Sequence, residues 1–358
     1  MNKIILIIAG LFEVGLASFL GKKIKGATTS DSYLWRSGFF ICLLLLLSCK
    51  EEVHQVNFYY WKSRVDIGET EQKYFNALKS NKLYIRFFDV DIQQGEIKPL
   101  AKINLFNPEV LNAGYIPVIF ITNRTFLGIS QEEIGSLASN INDLIGQICR
   151  KNNISDINEI QVDCDWTEKT KSDYFRFLKN LQQTSQKEIS CTIRLHQVKF
   201  HEKTGIPPVS KGYLMCYATS DPRESSVGNS ILDLELLKDY TSQINSYPLD
   251  FDIALPIYSW GVVTNHLDKI KLINNVGIAD TDTLPFQPKG KNLFEATDDF
   301  FFHGLYLNKG FSLRVETITP ELLKEARQYL SEKIKMPYDI VYYHLDKAFL
   351  EQYKIEDL

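Results

Sequence analysis

Residues 162–166 read Val-Asp-Cys-Asp-Trp, a pattern that suits a strand. Side chains alternate along a strand, so Asp163 and Asp165 face the same side. Two carboxylates held close repel, and one keeps its proton to a higher pH. Such a pair can supply an acid and a charge stabiliser for acid/base chemistry on an oxocarbenium-like centre. The same two residues serve equally well as halves of salt bridges to Arg86, Arg124 or Arg194, and alternation alone leaves both readings open.

Other chemistry-bearing residues recur at the C-terminal ends of apolar runs. These are Trp61 and Lys62, Asp89 and Asp91, Asn123 and Arg124, Arg194 and His196, Tyr217, Tyr258 and Trp260, and His344 and Asp346. Trp61, Trp166 and Trp260 offer flat apolar faces suited to sugar rings, or else they cap a core. Asp89, Asp91, Arg124 and Arg194 would orient hydroxyls or carboxylates of a bound glycan. His196 and His201 stand five apart, and no Cys-x-x-Cys pair occurs, so no metal is expected. Neither a P-loop nor a Gly-x-Ser-x-Gly elbow is present, and no cofactor is expected.

The elements that must hold these residues alternate. Strands are expected at 56–60, 83–88, 115–122, 160–164, 189–195, 213–217, 251–257 and 340–343. Helices are expected at 69–78, 131–150 (with Ser130 as N-cap), 171–182, 232–244 and 320–333. Eight strands in this order predict a (β/α)8 TIM-like barrel over residues 50–358, whose chemistry sits at the strand C-termini. Two connections are long: 93–112 after the second strand and 267–314 after the seventh, the latter with a strand-like piece at 311–315. An open doubly wound sheet would show a Gly-rich turn after its first strand, and Tyr60-Trp61-Lys62-Ser63 has none.

The fourth strand resembles that of the chitinase-like glycoside hydrolases of family eighteen, which reads DxxDxDxE. Asp163 and Asp165 match its D-x-D. Met215-Cys216-Tyr217 resembles the sixth-strand M-x-Y, and Leu255-Pro256-Ile257-Tyr258 resembles the seventh strand. The resemblance implies a glycan-binding barrel. It places the family's catalytic glutamate on Thr167, which cannot protonate a glycosidic oxygen, and its first aspartate on Ile160. The aspartate that follows the sixth-strand tyrosine falls on Ala218. Asp165 or Glu168 must then supply the acid, or hydrolysis is absent and the cleft only binds. The body also resembles uncharacterised Bacteroidetes-type barrel lipoproteins through Gln161-Val162-Asp163-Cys164-Asp165.

The chain of 358 residues carries a net charge of −4. Its first 48 residues hold five cations against Glu13 and Asp31, a balance of +3, which leaves −7 on the rest. An acidic body argues against nucleic acid as a partner. Ile4–Leu20 is nearly all apolar, about one membrane span. Ile8–Val14, with Glu13, resembles the first helix of the small multidrug resistance transporters, so residues 1–35 are expected to form a hydrophobic helix. A truncated transporter of that type is a further alternative. A second apolar run, 38–47, is the length of a signal-peptide core. It ends in Leu46-Leu47-Ser48-Cys49, which resembles the bacterial lipobox and implies lipidation at Cys49. Residues 36–49 are thus expected to be a lipoprotein signal, with the protein membrane-anchored in the bacterial cell envelope. Lys50-Glu51-Glu52 resembles the tether of surface-exposed lipoproteins.

Overall fold

A computed structural model describes residues 54–104, 107–155, 157–224 and 228–358. The expected N-terminal helix, the lipobox and Cys49 lie outside these residues. Among the described residues no helix is long and apolar enough to cross a membrane.

Eight parallel strands close into a barrel. In chain order they are β1 (Val56–Tyr60), β2 (Lys82–Gln93), β4 (Gly114–Ile121), β5 (Glu159–Asp163), β6 (Glu188–Arg194), β7 (Lys211–Met215), β8 (Phe251–Pro256) and β16 (Ile340–Tyr343). Each pairs with its neighbour in sequence, and β1 pairs with both β2 and β16 to close the ring. Burial on both faces explains why β1 and β8 are apolar or aromatic apart from Asn57 and Asp252, with every residue buried.

Among the described residues eight helices accompany them: α1 (Glu69–Ala77), α2 (Gln131–Lys151), α3 (Lys171–Ser185), α4 (Leu195–Lys199), α5 (His201–Thr204), α6 (Leu234–Tyr240), α7 (Pro320–Lys333) and α8 (Lys347–Leu350). Ser130 caps α2 as expected. Its hydroxyl accepts from the Glu133 amide at 3.2 Å, and the Ser130 amide in turn donates to Glu133 Oε2 at 2.8 Å. Helix α6 is shorter than the expected 232–244, because Asp233 caps its start and Thr241 ends it.

The second strand runs well past the expected Phe88. A register shift between Arg86 and Phe88 lets it continue to Gln93. It then turns through Gln94 and Gly95, both at positive φ, into the antiparallel β3 (Glu96–Leu100). Asp89 and Asp91 are therefore mid-strand residues of this arm.

The long connection after β8 is a unit with its own core. Its main sheet is antiparallel, in the order β10 (Ile270–Asn274), β9 (Trp260–Thr264), β15 (Ser312–Glu316), β12 (Leu293–Ala296), β11 (Phe286–Pro288). A separate hairpin pairs β13 (Phe300–Phe302) with β14 (Leu305–Leu307). Val263, Ile273, Val276, Phe294, Phe302 and Leu313 form a cluster apart from the barrel core. The four described cysteines, Cys149, Cys164, Cys191 and Cys216, are free and buried.

Candidate functional site

A cleft of about 400 Å³ opens at the C-terminal ends of the barrel strands. Asp163, the last residue of β5, lines it and is buried. Its Oδ1 accepts from the Thr192 hydroxyl at 2.6 Å. Burial raises its carboxyl to about 6, and repulsion from Asp165 adds to the rise, while Arg194 and the Thr192 bond oppose it.

Asp165, half-exposed just past the strand, is gripped side-on by Arg194. Arg194 Nε donates to Oδ1 at 2.5 Å and Nη2 to Oδ2 at 3.1 Å. The aspartate pair thus combines both sequence readings, with one member a buried acid on the cleft floor and the other half of a salt bridge. Arg194 also lines the cleft.

Aromatic rings build the wall. Trp61 packs on Tyr343 (ring centroids 5.7 Å apart), Tyr343 on Tyr258 (5.5 Å), and Tyr258 on Trp260 (5.4 Å). Tyr217 lies against Tyr343 at 5.6 Å, and its buried hydroxyl has no hydrogen-bond partner among the described residues. The Arg86 guanidinium sits over Trp61 at 5.6 Å, and its other side is held by Asp89. Trp260 is fixed by its indole N–H, which donates to Glu316 Oε2 at 2.8 Å. Glu316 is fully buried. It also accepts from the Ser230 amide and hydroxyl (2.8 and 2.6 Å) and from Arg314 Nε (2.6 Å). Asn274, at the end of β10, extends the cleft lining into the antiparallel unit.

His344 closes the far side. Burial and the Lys62 charge push its imidazole down to about 4 against the pull of Asp346, so it is neutral at pH 7. Its Nδ1 is buried without a partner among the described residues, and Nε2 stands 4.0 Å from Asp346, which pairs with Lys62 at 2.7 Å.

Of the expected site residues, Trp61, Asp163, Arg194, Tyr217, Tyr258, Trp260 and His344 meet in this cleft. The others do not line it. Trp166 is fully buried, so it is no sugar platform. Its indole N–H donates to the Thr204 carbonyl at 2.9 Å and its ring stacks on Tyr174 of α3. The alternation that turns Asp163 and Asp165 one way turns Trp166 the other. Asp91 is occupied by Arg124 and by the Thr122 hydroxyl, which hold its carboxyl well below the usual range. Asp89 is occupied by Arg86. His196 is exposed because the chain passes from β6 straight into α4. Glu168 sits exposed in the turn before α3, and no hydrogen bond or ion pair brings it to the cleft.

Residues that sequence reading did not assign to the site include Tyr343, Phe120, Met215, Phe349 and Asn274. Tyr343 carried a signal, since it ends the eighth strand; Asn274 carried none. Among the described residues no group of acidic, histidine or cysteine side chains is arranged to hold a metal.

No protein-family model matches the sequence, and no curated protein matches it. Solved structures do share its architecture. The C-terminal domain of a putative chitinase from Desulfitobacterium hafniense superposes with a TM-score of 0.53 at 12% identity, covering 84% of this chain and 97% of that one. The Bacillus cereus spore cortex-lytic enzyme SleL superposes at 0.51 with 15% identity, covering 84% of this chain and 73% of that one. At such identities the likeness establishes the fold: residues 54–358 form a (β/α)8 barrel whose structural neighbours are chitinase-like.

Proposed function

We propose that this protein is a glycan-binding barrel that does not hydrolyse its ligand. One observation carries the reading: among the described residues Asp163 is the single carboxylate lining the cleft, and it is buried beneath the aromatic wall. Thr167 stands where the family pattern needs its acid, and the nearest alternatives are removed, Asp165 by Arg194 and Glu168 by its place in an exposed turn. What remains is a concave surface of indole and phenol rings with a few fixed polar groups, the composition of a binding site. Isothermal titration with N-acetylglucosamine oligomers, alongside a turnover assay on the same panel, tests this. Binding without turnover is expected, with Trp260→Ala weakening binding about tenfold. Turnover by the wild type that Trp260→Ala slows would overturn the non-catalytic reading.

A second reading has its own support. A carboxyl raised to about 6 can donate a proton near neutral pH, so Asp163 is the residue on which any hydrolysis would depend. Turnover abolished by Asp163→Asn with binding retained would establish it.

The lipobox at Leu46–Cys49 supports anchoring in the bacterial cell envelope through a lipidated Cys49, with the barrel presented to glycans there, on the outer-membrane surface if the Lys50-Glu51-Glu52 tether acts as in similar lipoproteins. Labelled palmitate should enter the protein and be lost in Cys49→Ala; incorporation that survives the substitution would sink the anchor.

A further inference from the structure

The cleft does not end at Trp61. Trp61 and Arg86 also line an adjoining open pocket of about 540 Å³, completed by Lys62, Ser63, Arg64 and Asp66. Its polar groups are mostly cationic donors. Arg86 grips Asp89 through Nε and Nη2, which leaves Nη1 and its two protons uncommitted. Arg64 is exposed, and among the described residues its side chain makes no hydrogen bond or ion pair. Lys62 gives one bond to Asp346 and keeps two protons. Asp66 is the one carboxylate lining this pocket, and no ion pair joins it to Arg64.

Sugar hydroxyls both give and accept hydrogen bonds, so a wall built for a neutral glycan mixes donors and acceptors. Here a guanidinium with no partner, a guanidinium edge and an ammonium converge beside an aromatic ring, in a body whose overall charge is negative. Charge-assisted donors of this kind match an acceptor-only anion, and a guanidinium held by a neighbouring carboxylate is pre-oriented for it. The stacking of Arg86 on Trp61 fixes the guanidinium further.

We propose that the glycan in this cleft is anionic, carrying a carboxylate or a sulfate ester on the unit beside Trp61, where Arg64, Arg86 and Lys62 receive it. This rests on the glycan-binding reading and names the class of glycan.

The test is calorimetric titration of the full-length protein with three β-1,4-linked N-acetylglucosamine tetramers: the neutral one, one oxidised to a carboxylate at C6, and one sulfated at O6. At least one anionic tetramer should bind about tenfold more tightly than the neutral one at low salt, and the gap should shrink as salt rises. The tighter of the two anionic tetramers identifies the group. Arg64→Gln, which removes no folded contact, should weaken the anionic tetramer about fivefold and leave the neutral one unchanged. Asp66→Asn should strengthen the anionic one. Equal affinity for all three tetramers, or an Arg64→Gln loss shared equally by neutral and anionic tetramers, overturns the inference while leaving glycan binding intact. No binding of any tetramer overturns both.

Discussion

Asp163 shows how one strand position produces an acid. Its backbone places it on the inward face, its neighbours exclude water, and Asp165 stands close enough to repel its charge. The proton is therefore held more tightly in the folded chain than in the unfolded one. The sign follows from linkage: between about 4, where the unfolded group titrates, and about 6, where the folded one does, folding takes up a proton. The contribution of Asp163 to stability is fully present below pH 4 and lost as pH rises through 6. Asp163→Asn keeps an acceptor for Thr192 and removes the buried charge. It should raise the unfolding free energy at pH 8 by on the order of 2 kcal/mol and change it little at pH 4, as read by urea unfolding at both pH values. Equal effects at the two values would show that the carboxyl is not perturbed. At this scale the sequence was half legible. Alternation places Asp163 on the inward face and turns Trp166, one residue past Asp165, away from the mouth. It could not show that Arg194 would engage Asp165, because that contact joins β6 to the segment after β5 and depends on the barrel's register.

Among the elements, the barrel strands and their helices were legible because burial on two faces and helical periodicity leave strong patterns. β1, α7 and β16 fall where the periodicity predicts them. In the unit after β8 the piece expected at 311–315 is β15, but strands such as β10 and β11 are largely exposed and lack the buried run that marks the barrel strands. That unit matters to the site through one residue. Glu316, at the end of β15 and itself fully buried, links Trp260, Ser230 and Arg314. Glu316→Ala leaves Arg314 without its charge partner and should cost about 3 kcal/mol, together with weaker glycan binding as Trp260 loosens. Glu316→Gln keeps the acceptors for Trp260 and Ser230 and should cost less. Denaturant unfolding and titration of both variants measure this, and an unaltered Glu316→Ala would refute the role. A second element-scale prediction concerns Gly205, which ends α5 at φ +77°. A Cβ there would stand 2.9 Å from the Phe175 ring. Gly205→Ala should destabilise by about 1–2 kcal/mol in thermal unfolding, because strain and overlap fall on the turn whose Thr204 carbonyl holds Trp166.

For the whole molecule, residues 54–358 make one compact unit that holds both the barrel core and the smaller core of the antiparallel unit. Protein starting at His54 should therefore fold on its own, unfold in one cooperative transition and bind the same glycan with unchanged affinity. A loss of stability relative to the full-length protein would show that residues before His54 support the barrel, and two separate transitions would show that the antiparallel unit unfolds by itself. The sequence made the fold class legible through strand count and order. It left the shape of the mouth unreadable, because the cleft is assembled from the ends of non-adjacent strands and from the antiparallel unit.

The pairing of β1 with β16 joins residue 56 to residue 340. The ring thus acquires its closing strand only after residue 343 has been synthesised, and until then β1 presents an unpaired edge on that side. A nascent chain in that condition cannot become a finished barrel while its C-terminal part is still on the ribosome. Until closure that open edge of β1 can pair with a strand of another chain. The last strand to emerge sets when the molecule stops being a thread and becomes a vessel.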